Sequence, residues 1–106
     1  MIVDTSVIID IQKGQQQTIH YLDELTKRKG GTPCIAFITY FEFYQGILGK
    51  KNKPELQSFL NKFTFLRPTR KTAEILAEMR LEYQKKGIVL PLADLMIASQ
   101  AKEHAL

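Results

Sequence analysis

The chain opens on a short apolar run, "MIV", closed by Asp4. An apolar run of that length, bounded by polar residues, predicts a buried strand. Val7, Ile8 and Ile11 then recur at helical spacing, with Asp4, Thr5 or Ser6 available as N-cap and Gly14 as stop. Ile19, Leu22 and Leu25 recur every three residues and predict a second helix from about Gln16 to Lys29, ended by "KGGTP". "CIAFI" predicts a second buried strand, and Thr39 to about Leu48 a helix closed by Gly49. Leu56, Phe59, Leu60 and Phe63 fall at i, i+3, i+4 and i+7, an amphipathic helix opened by Pro54. "FTFL" predicts a third short strand. Pro68 and Thr69 lead into a long helix through Ile75, Leu76, Met79 and Tyr83, stopped at Gly87. Pro91 starts a last helix, apolar almost all round and therefore expected to be deeply packed.

The predicted order is β-α-α-β-α-α-β-α-α. Strands separated by helices run parallel through right-handed crossovers, which gives an α/β fold with helices flanking a short parallel sheet. The 106 residues make one domain, long enough to bury roughly two-thirds of its unfolded surface. The hydrophobic share of 44% and charged share of 25% are those of an ordinary globular protein. No apolar stretch approaches the ~20 residues of a membrane span, and no basic region precedes an apolar one at the N-terminus. Cys34 alone excludes an internal disulfide framework and reads as a small buried hydrophobe. These features fit a cytoplasmic protein. Fifteen basic residues against eleven acidic give +4, a mild lean toward a polyanionic partner.

Three acids border apolar runs: Asp4, Glu42 in "FITYFEFYQG" and Asp94 in "VLPLADLMIASQA". Each has a simple explanation taken alone. Asp4 suits an N-cap, Thr39 and Glu42 fit the capping-box pattern T-x-x-E, and Asp94 falls in a first helical turn where the dipole favours an anion. Together they imply more. Asp4 and Glu42 follow the C-terminal ends of predicted parallel strands, the edge where open sheets bind ligands, and Asp94 begins a helix that can reach the same edge. Three converging carboxylates repel unless cations neutralise them, and oxygen-only ligands suit Mg²⁺ or Mn²⁺. Such a cluster is an apparatus for hydrolysing phosphodiesters.

"VDTSVIID", "TYFEFYQGI" and "GIVLPLADLMIASQAKEHAL" resemble, in order and over essentially the whole chain, the three signature segments of PIN domains, most closely the VapC-type toxins of toxin–antitoxin pairs. The resemblance implies a metal-dependent endoribonuclease acting on RNA, a four-acid site, homodimers and inhibition by a VapB-type antitoxin. Asp4, Glu42 and Asp94 match the first three acids, and Ser6 matches the small polar residue that supports the first. In that family the "A-x-x-H-x-L" ending leads into a further strand and a segment with the fourth acid. This chain stops at Leu106, so the resemblance describes a PIN-like fold truncated at its C-terminus and lacking its last strand or strands. An alternative follows: a catalytically impaired PIN remnant that binds an antitoxin or RNA without cutting. A receiver-like signalling module also places acids at a strand edge. It would want a second acid beside the first, an acid on the middle strand and a late lysine after a strand, and none is evident.

Other polar residues divide more simply. Lys27-Arg28-Lys29, Lys50-Lys51 with Lys53, and Lys85-Lys86 flank glycines at helix ends and complement helix dipoles. Arg67, Arg70 and Lys71 cluster where a strand hands over to a helix, and are candidate phosphate contacts. His20 and His104 lack partners at metal-ligand spacing and read as surface residues, as does Asp10. Tyr40, Phe41, Phe43 and Tyr44 surround Glu42 on all sides of its helix, more than one sheet can cover, which suggests a second subunit against part of that helix.

Overall fold

The computed structural model describes all residues except 1, 4, 15, 18–19, 21–22, 25–26 and 28–31. The three predicted strands form, each as a two-residue core: β1 (Ile2–Val3), β2 (Cys34–Ile35) and β3 (Thr64–Phe65). They pair in parallel in the order β1-β2-β3, with Ile2 beside Cys34 beside Thr64, and Val3 beside Ile35 beside Phe65. All three C-terminal ends therefore meet one edge of the sheet. The ladder extends past β3, where the Leu66 N–H donates to the Ile35 carbonyl at 3.0 Å.

Among the described residues, five helices are delimited beside the sheet: α1 (Thr5–Gln12), α2 (Phe37–Ile47), α3 (Lys53–Leu60), α4 (Arg70–Lys85) and α5 (Leu92–Glu103). The predicted helix over 16–29 lies largely outside the described residues. Those of it that are described, such as His20 and Glu24, are helical and exposed, and these two approach to 3.1 Å at i, i+4 spacing. Gly14 and Gly87 follow α1 and α4 with φ of 78° and 71°, a conformation that a side chain disfavours and that glycine adopts freely.

The core gathers one face of each neighbouring element on the sheet. Val3 and Ile35 come from the strands, Ile8 from α1, Phe43 and Ile47 from α2, and Leu56 and Leu60 from α3. The last two pairs are spaced i, i+4, as a helix stripe requires. Phe59 and Phe63 pack at the margin, with ring centroids 5.5 Å apart. The aromatic belt around Glu42 divides as a helix surface must. Phe43 is buried, Tyr40 and Tyr44 are half-buried and stacked at 5.9 Å, and Phe41 is exposed.

Three expectations need correction. α2 starts at Phe37 with Ala36 at its N-cap, so Thr39 is an interior residue, wholly buried, and not a cap. Cys34 is only partly buried, its thiol directed to the Thr32 carbonyl. α5 is not packed all round: Leu95, Ser99 and Gln100 are buried, while Leu92 and Asp94 are exposed. Small residues such as Ala93, Ala98 and Ala101 raised its apolar count without demanding burial.

α4 and α5 pack along each other, and their far ends are tied. Thr69 caps α4 in a reciprocal box with Thr72, each hydroxyl accepting from the other's backbone N–H. Both hydroxyls then donate to the Glu103 carboxylate near the end of α5. The Thr72 bond, followed by that of Thr69 and the nearby charges of His104 and Lys71, lowers the Glu103 pKa against an opposing desolvation. A carboxyl lowered on folding stabilises the fold above its unfolded pKa and loses that contribution as pH falls through the folded one. Thermal melts of wild type and Glu103→Gln are therefore expected to differ most near neutral pH. The gap should close as pH drops below the ordinary value of 4.5. A constant gap down to acid pH would refute the role.

Candidate active site

The C-terminal ends of the three parallel strands meet one edge of the sheet, and the connections and helices that follow them carry several of the candidate residues. β1 is followed by α1, whose first turn carries exposed Ser6. β2 passes through Ala36 directly into α2, which carries Glu42 about 7.5 Å along its axis from Phe37 at a rise of about 1.5 Å per residue. β3 runs through Leu66 and exposed Arg67 to α4, which opens with exposed Arg70 and Lys71. Asp94 lies in the first turn of α5, and α5 packs against both α4 and α2. Asp4 lies outside the described residues; in the chain it joins Val3, the end of β1, to Thr5, the start of α1.

The start of α2 removes one explanation for Glu42. A capping-box glutamate sits three residues after its cap, whereas Glu42 sits six residues after Ala36 and cannot reach back to it. Glu42 is exposed and borders a cleft of about 240 Å³ between α1 and α2. Ile9 and Ile47 give the cleft apolar walls, and Lys13 and Lys50 bring positive charge to it. In the sequence Lys50 stands out only as a helix-end charge, and nothing marks Lys13. Both follow helix C-termini far apart in sequence, and only tertiary packing places them along the cleft that Glu42 borders.

For Asp94 the dipole explanation stands: it occupies the first turn of α5, and the N-cap Pro91 offers no side-chain cap. Among the described residues no hydrogen bond or ion pair engages its carboxylate, which leaves it available to a ligand. Also among the described residues, no three His, Cys, Asp or Glu side chains are grouped closely enough to hold a metal. Lys71 lies near Glu103, so part of its charge serves that carboxylate. His20 is exposed and His104 sits 3.8 Å from Glu103, neither in a ligand cluster among the described residues. No described helix is long and apolar enough to cross a membrane.

Gln100 is a functional candidate that no sequence motif marks. It is almost wholly buried on α5, and both ends of its amide are used. Oε1 accepts from the Phe37 N–H at 2.7 Å, and Nε2 donates to the Leu66 carbonyl at 2.8 Å. A lone glutamine in a helical stretch carries no pattern that would reveal this.

The PIN-domain family model matches residues 1–106. The chain belongs to the PIN-domain family. Among its relatives, ribonuclease VapC3 of Methanocaldococcus jannaschii is 32% identical over 98 residues, which cover 92% of this chain and 94% of that protein. FitAcB of Neisseria gonorrhoeae superposes with a TM-score of 0.81 at 29% identity, covering 99% of this chain and 82% of that one. VapBC2 of Rickettsia felis, solved bound to a DNA fragment from its promoter, gives 0.77 at 27% identity over 94% and 77% of the two chains. This PIN domain is therefore of the VapC type, and the three-strand parallel sheet with flanking helices is its fold.

Proposed function

We propose that this PIN domain is a metal-dependent endoribonuclease of the toxin–antitoxin type, hydrolysing RNA phosphodiesters with Asp4, Glu42 and Asp94. The observation that carries the proposal is the place of Glu42, six residues past the N-cap of its own helix, on a helix that starts at the C-terminal edge of a parallel sheet. The 32% identity to a VapC ribonuclease supports it. The donor set is carboxylate only, and the described acids are exposed, which fits Mg²⁺ or Mn²⁺. Asp4, Glu42 and Asp94 would hold the ion, with Ser6 supporting Asp4. When bound, the ion supplies an activated water and charge stabilisation at the phosphate. The chain's own groups do the rest: Arg67, Arg70 and Lys71 hold backbone phosphates, and the lysines beside Glu42 raise the local concentration of polyanion.

Cleavage of a structured RNA with Mg²⁺ or Mn²⁺, and its loss in excess EDTA, tests the reading. Cleavage unaffected by EDTA would overturn it, and metal-independent RNA binding without cleavage would favour a non-cutting PIN module. The paired change Arg67→Ala with Arg70→Ala is expected to raise KM several-fold with little change in kcat. It should also flatten the salt dependence of RNA binding. An unchanged salt slope would remove both arginines from the interface.

Partners follow the same logic. A VapB-type antitoxin is the expected inhibitor, supported by the VapBC complex among the structural relatives. A homodimer is supported by the apolar groups left outside the core: Phe37 and Phe65, in edge contact at 6.5 Å, and Phe41 on the same helix as Phe37. Sedimentation of wild type and Phe41→Glu measures that association.

A further inference from the structure

The N-terminus of α2 has an unusual cap. The first helical N–H groups lack intrahelical partners, and a Ser, Thr, Asp or Asn at the N-cap ordinarily serves one. Here the N-cap is Ala36, which has no side-chain acceptor. The Phe37 N–H is served instead by Gln100 Oε1, from a helix 63 residues further along the chain. The same side chain donates through Nε2 to the Leu66 carbonyl. Leu66 is the point where β3 leaves the ladder, and Arg67 follows it directly. One buried amide thus joins the start of α2, the exit of β3 and α5. An apolar side chain of equal size would leave a donor and an acceptor without partners.

We infer that Gln100 is a positioning residue of the nuclease site: by capping α2 from α5 it sets the spacing of Glu42 and Asp94, and it fixes the β3 exit that presents Arg67. Glu42 lies about 7.5 Å along α2 from the capped N–H, and Asp94 about 9 Å along α5 from Gln100. Both helices are rigid over that distance, so a change at the junction is transmitted to both carboxylates. Metal sites are sensitive to such support, with losses of roughly tenfold to a hundredfold in affinity when it is removed. This inference rests on the metal-site reading above for its functional meaning, but not for its geometry.

The test uses the full chain carrying Gln100→Met, which keeps length and volume and removes both hydrogen bonds. Ile75→Val, a conservative core change in α4, serves as the control for lost stability. Two readouts are taken below the melting temperature. In metal-free protein, the backbone amide resonances of Glu42 and Asp94 are expected to shift in Gln100→Met and to stay in place in Ile75→Val. In Mn²⁺ titrations, affinity is expected to fall roughly tenfold in the first variant only. Should Gln100→Met not fold, Phe37→Pro replaces it. Proline is tolerated at the first helical position, and Ala36 already has the extended conformation (φ −71°, ψ 157°) that a following proline demands. It removes the capped N–H and sets the ring Cδ into the space that Gln100 Oε1 now occupies, 2.7 Å from that nitrogen, so the amide must leave the cap; Phe37→Ala controls for the lost aromatic ring. Wild-type protein that binds no Mn²⁺ would defeat the metal reading, while the amide shifts would still decide the role of Gln100. Unmoved resonances at both acids in a folded variant would overturn that role, whatever the metal does.

Discussion

Asp4→Asn is expected to lower metal-dependent RNA cleavage by about a hundredfold or more, while the protein remains folded. The magnitude follows from what the residue would do. Loss of a group that merely supports a metal ligand costs roughly 10–100-fold, and loss of a ligand's own charge should cost no less. The substitution isolates charge with little else changed. Asparagine has the shape of aspartate and is an equally good N-cap, so any capping of α1 survives. Fewer carboxylates in a cluster also repel less, so the metal-free variant should melt no lower than wild type. The comparison of cleavage rate with melting temperature separates chemistry from folding. Undiminished cleavage would remove Asp4 from the mechanism, and a collapse of stability would assign it a structural role instead. Asp94→Asn tests the third acid in the same way. If its carboxylate served only the α5 dipole, the cost would appear in stability, at about 0.3–1 kcal/mol, and not in rate.

The periodic parts of the chain were legible in the sequence, and the junctions were not. Leu56, Leu60 and Ile75 all fall where spacing placed them, because an amphipathic stripe states its own period and phase. The parallel orientation of the strands followed from alternation alone, while their order in the sheet did not. The start of α2 was misjudged by two residues, because Thr39 offered a capping pattern and Ala36 offered none. The cap actually used comes from Gln100, and a tertiary cap leaves no local trace. The last helix was read as buried all round because alanine counts as apolar, although its small surface adds little driving force for burial. The three acids stood out as polar groups at the edges of apolar runs. Lys13 and Lys50 stood out in no way. Their neighbourhood with Glu42 exists only once α1 and α2 are packed on the sheet.

Ile35→Ala is expected to be the most destabilising single truncation in the core. Ile35 is the last residue of the central strand, with no exposed surface, paired to Val3 on one side and Phe65 on the other. Its side chain belongs to the cluster in which Ile8, Phe43, Ile47, Leu56 and Leu60 meet. Neighbours from two strands and three helices cannot all move inward to fill the void, so the loss combines transfer and cavity terms, about 3–5 kcal/mol. A domain of this size holds about 5–15 kcal/mol in total. The melting temperature should fall by well over 10 °C, at roughly 4 °C or more per kcal/mol. Ile35→Val, which removes one methyl group, should cost only about 0.5–1.5 kcal/mol. Urea unfolding of the two variants gives the comparison directly. Equal costs for valine and alanine would mean that the site relaxes freely and that β2 is not the fixed centre of the fold. The consequence reaches the active edge, because Ile35 immediately precedes Ala36 and the start of α2. At temperatures where Ile35→Ala remains folded, its cleavage rate should stay near that of wild type, since none of the proposed ligands has changed. A loss of rate in the fully folded variant would show that core packing beneath β2, and not the Gln100 amide alone, holds Glu42 in place.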